Sequence, residues 1–329
     1  MTKGSVMNPR VFFIGVFIFH FTFITAQTCC SGGIPLSNSI GLAILEKGTV
    51  QIGINYDYNN LNTLNNGSER LDDDSRLRIT HSVLLNAGYA VTDRLSVEGL
   101  FTWVNQQREI TQFGNENLDQ TSGIGDAVLL LKYNFINALG KNSALDLGLG
   151  AKLPLGSSTE TNDRGITLNA DLQPGSNAWD IIYWSSMYKN FDFRPSFNIS
   201  SRIIYRNTGT NNSYFGDSTY KFGNEFQAFV GFSDQFLLFK TQTTPSISFK
   251  YRDAAQDKVG GFNVENTGGN WVWIVPDFSI NITPSMVFST KVELPIYSNV
   301  DGTQLTPTYR LTTGVLFKIG PRPDLIKLN

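Results

Sequence analysis

Residues 123–153 read GIGDAVLLLKYNFINALGKNSALDLGLGAKL, and this stretch decides the fold. It holds two alternating runs. In the first, Ala127, Leu129, Leu131, Tyr133 and Phe135 share one face, with Asp126 and Lys132 opposite. In the second, Leu145, Leu147, Leu149, Ala151 and Leu153 oppose Asp146, Gly148, Gly150 and Lys152. Side chains on a strand point alternately to its two faces, so a period of two marks a strand with one apolar side. A short segment, residues 136–143, joins the runs as a hairpin. Charges sit in mid-strand opposite a continuous apolar face, and aromatics gather at the short-turn end.

Working outward, the same period recurs along the chain. The runs fall at residues 49–58, 76–90, 95–104, 123–135, 144–154, 178–188, 193–205, 220–232, within 236–251, 270–282, 286–296 and 309–319. The sixth has the muddiest alternation. Pro245 interrupts the ninth, where a bulge is expected. A phase change is expected near Pro276 in the tenth. No stretch past residue 45 carries the 3.6-residue period of an amphipathic helix over three turns. The connections alternate too. Long polar segments, such as the one holding NNGSERLDDDS, follow odd-numbered strands, and short ones such as VTDR, KN, SDQ and TPS follow even-numbered ones. Residues 297–308 are expected to form the last long loop.

Twelve alternating strands with short turns at one end and long loops at the other predict an all-β, closed, antiparallel transmembrane barrel. A soluble β-sandwich would also alternate. It gives no reason for aromatics to gather at strand ends, where a membrane barrel carries two girdles. The girdle residues expected here are Tyr56, Tyr58, Trp103, Tyr205, Tyr251, Trp271 and Trp273 beside the long loops, and Tyr89 and Tyr133 beside the short turns. The polar phase assigns Arg76, Arg78, Glu98, Asp126, Lys132, Asp146, Lys152, Lys291 and Glu293 to the lumen. Their mixed signs predict internal ion pairs rather than a strongly selective charged pore.

Composition narrows the function. The 329 residues carry 26 Lys and Arg against 28 Asp and Glu, so nothing in the charge calls for nucleic acid. Lys3 and Arg10 precede an apolar run over residues 11–24, followed by Ala26, the pattern of an export signal occupying residues 1–26. Residues 27–48 are expected to be a periplasmic segment that folds back as a partial plug, because Ile40, Leu42, Ile44 and Leu45 gain by leaving water. The barrel is expected over residues 49–319 and a tail over 320–329. The two cysteines, Cys29 and Cys30, are adjacent and cannot staple a chain of this length. His81 is the single histidine after the signal, which removes most histidine-based metal and triad arrangements. No enzyme, cofactor or metal site is expected. The acidic run at Asp72, Asp73 and Asp74 reads as a solvated outer loop, since it lacks the turn glycine and distal Glu of a calcium loop.

Several phrases resemble a known family. YAVTDRLSVEG at residues 89–99, GIGDAVLLLKYNF at 123–135, GLGAKLPLGS at 148–157, QPGSNAWD at 173–180 and ELPIYSNVDGTQLTPTYRLTTGVLF at 293–317 are similar to the transporter-like outer-membrane barrels grouped with the meta-pathway of phenol degradation. CCSGG at residues 29–33 resembles a Bacteroidetes-type variant. The resemblance spans nearly the whole barrel and implies an outer-membrane location among lipid. It also implies passive passage of small, hydrophobic solutes, and it supplies no substrate residues. A barrel that stiffens the envelope or binds a partner is the alternative, and the oligomeric state stays open.

Overall fold

The computed structural model describes residues 41–137 and 140–320. The expected signal sequence, Cys29, Cys30 and residues 321–329 lie outside the described residues. Twelve strands make the barrel: β1 (Val50–Asn66), β2 (Arg76–Ala90), β3 (Leu95–Gln112), β4 (Ala127–Ile136), β5 (Ser143–Leu153), β6 (Asp180–Phe191), β7 (Arg194–Asn207), β8 (Glu225–Asp234), β9 (Thr241–Ala254), β10 (Gly269–Thr283), β11 (Met286–Val300) and β12 (Thr303–Ile319). Each pairs antiparallel with its neighbours in sequence. The circuit closes between β1 and β12, from Val50 opposite Ile319 to Asn66 opposite Thr303. Closure leaves no unpaired edge, which a sheet in lipid requires.

The outer surface is the apolar phase. Leu129, Leu131, Leu147 and Leu149 all point out of the barrel, and so do Val83, Leu85, Val97 and Ile203. Seven of the nine expected girdle residues also face outward: Tyr56, Tyr58, Tyr89, Trp103, Tyr133, Tyr205 and Tyr251. His81 lies on this face, its Nδ1 2.6 Å from the Tyr56 hydroxyl and its ring 5.2 Å from that of Tyr58.

The girdle expectation fails for Trp271 and Trp273, which are 0% and 3% exposed inside the lumen. Their Cα partners on β9 are Arg252 and Lys250, and partners across a pair share a face. The Lys250 ammonium lies 4.6 Å from the Trp273 ring centroid, and the Arg252 guanidinium 4.8 Å from that of Trp271. In NWVWIV both faces are nearly apolar, so alternation alone left the phase undetermined.

Three local expectations also change. β9 runs through Pro245 in unbroken register with β10. In β10 the inward phase continues past Pro276, from Val275 to Asp277, and the register shifts against β11 fall at Val272/Trp273 and Asn281/Thr283 instead. The last connection is short: β11 and β12 extend to Val300 and Thr303, leaving Asp301 and Gly302 as a two-residue turn. Gly302 has φ +74°, the left-handed backbone that an Asp-Gly hairpin turn needs. Likewise β3 runs on to Gln112, and residues 115–124 return along it as a hairpin where a loop was expected.

Candidate functional site

The inward phase of these strands makes the lumen. Of the expected lining residues, Arg78, Glu98, Asp126, Lys132, Asp146, Lys152 and Glu293 are buried inside the barrel, while Arg76 and Lys291 are half-buried there. Charge pairing divides this surface into distinct zones.

Toward the long loops, charges of alternating sign cross five neighbouring strands and end just before a sixth. Arg252 of β9 meets Glu225 of β8 at 3.1 Å, and Glu225 meets Arg206 of β7 at 3.2 Å. Arg206 lies 3.8 Å from Asp180 of β6, and Asp180 lies 3.3 Å from Lys152 of β5. Lys152 ends the series on Asp126, just before β4, at 2.7 Å. Lys152 also donates to the Ala178 carbonyl at 3.0 Å. Asp126 accepts from Gly156 N and Ser176 N, each at 3.1 Å. A buried charge survives only when paired and hydrogen-bonded, and the four interior members, Glu225, Arg206, Asp180 and Lys152, each have an opposite charge on both sides.

The loop between β5 and β6 folds down onto this zone. A short 3₁₀ turn, Ala170–Leu172, places Asp171 against Arg78 of β2 at 2.9 Å. Gln106 donates to the carbonyls of Leu172 and Gln173 at 3.2 and 3.3 Å, and Thr121 donates to Leu172 at 2.5 Å. Two further outer loops cover it. They form a small sheet from Tyr220–Lys221, Lys258–Val259 and Phe262–Asn263, with Ala170, Tyr220 and Phe222 packed together.

At mid-height one wall is apolar. Leu84, Leu100, Val128, Leu130, Ile182, Trp184, Ile204 and Phe229 form a buried cluster inside the lumen, each at most 6% exposed. Sequence reasoning assumed a polar lumen and missed it. The signal was present as runs such as Val83-Leu84-Leu85 and Leu129-Leu130-Leu131, where the inward residue between two outward ones is itself apolar.

Below that wall, toward the short turns, backbone of residues 41–43 lies against the lumen side of β1, β3 and β4. Gly41 N and Leu42 N each donate to the Glu98 carboxylate at 3.0 Å. Lys132 pairs with Glu98 at 2.7 Å and donates to the Leu42 carbonyl. Gln51 of β1 donates to the Ala43 carbonyl at 2.7 Å. Gly41 sits so close to Trp184 that an added Cβ would lie 2.7 Å from its ring.

The opposite wall, β7 to β11, differs. It leaves a partly open pocket of about 320 Å³ lined by Ser200, Arg202, Ser246, Ser248, Asp277 and Lys291, among others. On the same side Lys250 pairs with Glu293 at 2.8 Å, and Arg310 with Asp57 at 2.9 Å. Among the described residues no group of three or more His, Cys, Asp or Glu gathers as a metal site.

No family model and no curated protein matches the chain. Solved structures do. An outer-membrane channel from Pseudomonas putida F1 is similar over 87% of this chain and 100% of its own, at 14% identity and a TM-score of 0.65. The β domain of the Bordetella autotransporter BrkA (83% and 100% covered, 9% identity, TM-score 0.44) and the NanC porin (82% and 100%, 10%, 0.44) are more distant. The likeness to the Pseudomonas channel shows the fold. The chain is a closed, 12-stranded transmembrane β-barrel of outer-membrane type.

Proposed function

We propose that the chain is a passive outer-membrane channel for small solutes. The observation that carries this reading is the division of the lumen: a polar, charge-lined cavity of about 320 Å³ remains in its inner half, within a barrel whose outer face is apolar. A barrel serving only as a wall has no use for that space. The Pseudomonas protein of like fold is an outer-membrane channel, which agrees with this reading. The finer resemblance, to barrels of the phenol meta-pathway in a Bacteroidetes-type variant, belongs to the same proposal and is supported by the ordered phrases from residues 89–99 to 293–317.

The hydrophobic solute implied by that resemblance finds support in the apolar wall around Ile182 and Trp184. That wall is packed shut, whereas the pocket mixes hydroxyls and charges with Phe232, Ile247 and Val275. A polar solute therefore fits the free space better. In this reading Gly41–Lys47 is a partial plug, held by Glu98 and Lys132 at the mouth where solutes leave. The test is flux into liposomes containing the purified full-length protein, comparing aromatic with polar solutes. Flux no faster than into empty liposomes for every solute rejects the channel.

One observation favours the alternative of a non-transporting barrel. The charge series from Arg252 to Asp126 and the loop seated on Arg78 brace the outer half from within. The same flux measurement separates the two.

A further inference from the structure

Most lumen cations are matched. Lys132, Lys152, Arg206 and Lys250 each have a carboxylate within 3.3 Å. Arg202 on β7 is different. Among the described residues it makes no ion pair within 4.0 Å and donates no side-chain hydrogen bond, and its Nε is buried without a partner. Its guanidinium lies 5.8 Å from the centroid of the Phe229 ring, a contact that supplies no hydrogen-bond acceptor. A half-buried arginine that makes no ion pair among the described residues, on a wall facing a pocket, keeps donors free for an anionic ligand.

The cavity that Arg202 lines is suited to supply the rest. Its charged lining residues are Arg202, Lys291 and Asp277. Lys291 and Asp277 stand directly opposite each other on β11 and β10, so their charges offset; Arg202 is the remaining positive charge of the lining, with the Glu98 carboxylate acting on it from beyond ion-pair distance. Around it stand the hydroxyls of Ser200, Ser233, Ser246, Ser248, Ser279 and Thr244. Hydroxyls both donate and accept, which suits a ligand that carries hydroxyls of its own. A volume of about 320 Å³ falls at the lower end of small-molecule sites, which run from about 300 to 1,000 Å³.

We propose that this cavity is a binding site for a small hydroxylated organic acid, a monoanion whose carboxylate is held by Arg202 and whose hydroxyls are held by the serine wall. A guanidinium grips a carboxylate through two parallel N–H donors, a geometry that a lysine does not reproduce. This inference rests on the channel reading and names the solute class for it. The site itself can be tested without transport.

The probes are gluconate and its uncharged counterpart glucose, titrated calorimetrically into the full-length protein in detergent. Gluconate is expected to bind at least tenfold tighter than glucose. Arg202→Gln is expected to lower gluconate affinity at least tenfold and to leave glucose unchanged. Arg202→Lys is expected to recover only part of the loss. Equal affinity for the two probes in the unmodified protein overturns the site, whatever the variants do. So does gluconate affinity unchanged in a folded Arg202→Gln. Should that variant fail to fold, the gluconate-to-glucose ratio of the unmodified protein still decides. Liposome flux of the same two solutes is read separately. Arg202-dependent binding without flux removes the channel reading and leaves the site standing.

Discussion

Two walls of the inner lumen face each other and treat buried charge in opposite ways. On the β2–β6 side, Glu98 and Lys132 are saturated by each other and by the backbone of Gly41 and Leu42. On the β7–β11 side, Arg202 makes no ion pair among the described residues, and hydroxyls rather than backbone line much of the space before it. The first wall is structural: its charges fix where a chain segment lies. The second wall keeps binding capacity that the fold does not consume. The largest expected effect tests this contrast directly. Lys132→Met strands the Glu98 carboxylate in a buried site and should cost about 3–5 kcal/mol, read from urea unfolding in liposomes. Arg202→Gln removes a cation that makes no ion pair among the described residues and should cost clearly less than Lys132→Met. Equal losses would abolish the distinction.

Both walls depend on the barrel standing in lipid. Leu147 is 45% exposed on the outer face of β5, back to back with the inward Asp146 and Gly148. Leu147→Arg should lower stability by about 2–4 kcal/mol if the site is near mid-membrane. Folding yield in liposomes measures it, and a yield equal to the unmodified protein's would place Leu147 away from lipid. A smaller and more local loss is expected from Gly41→Ala. Gly41 has φ +112°, and the new methyl would press on Trp184 at 2.7 Å. Strain of this kind costs about 1–3 kcal/mol, here charged to the seating of the segment rather than to the barrel. Proteolysis between Leu42 and Lys47 should quicken while the unfolding midpoint of the barrel holds. An unchanged cleavage rate would mean that the segment is not held by this contact.

What the sequence made legible follows from where charge was available to report phase. On β4 and β5, Asp126, Lys132, Asp146 and Lys152 mark the inner face unmistakably, and the strands, register and closure follow from that alternation. Where both faces are apolar the phase is silent. Trp271 and Trp273 were therefore placed in the girdle, although Lys250 and Arg252 on the paired strand carried the information in the register. The apolar lumen wall was missed for the same reason. Polar text past the membrane was misread as loop, because lengthened hairpins such as β11–β12 need no apolar face once they leave lipid. Arg202 lay outside the expected lining set, since nothing in its own strand says that the neighbouring strands bring it no ion pair. That fact exists only once β8 to β11 are brought together.

The smallest effect concerns the outer cap, which offers the same contrast of matched and unmatched charge outside the membrane. Asp257, in the loop after β9, is half-buried and accepts from the Tyr220 hydroxyl at 2.5 Å and from Gly223 N at 2.7 Å. Burial raises its pKa above 3.8, and those two hydrogen bonds only partly oppose the rise. Burial and the Asp257 charge also raise the Tyr220 phenol, and burial pushes Tyr214 up to about 12, so both phenols keep their protons at physiological pH. A carboxyl whose pKa is higher in the folded cap binds its proton more tightly there than in the open loop. Its stabilising contribution is therefore complete below 3.8 and is lost as the pH rises from there through the folded value. Acidification should tighten the cap, and alkalinisation should loosen it. Hydrogen exchange at the amides of Lys221 and Phe222, corrected for intrinsic rates, should show greater protection near about pH 4 than near about pH 7. Asp257→Asn keeps the shape without the titration and should flatten that dependence. An equal slope in the variant would assign the pH response to another group and leave Asp257 as a hydrogen-bond acceptor alone.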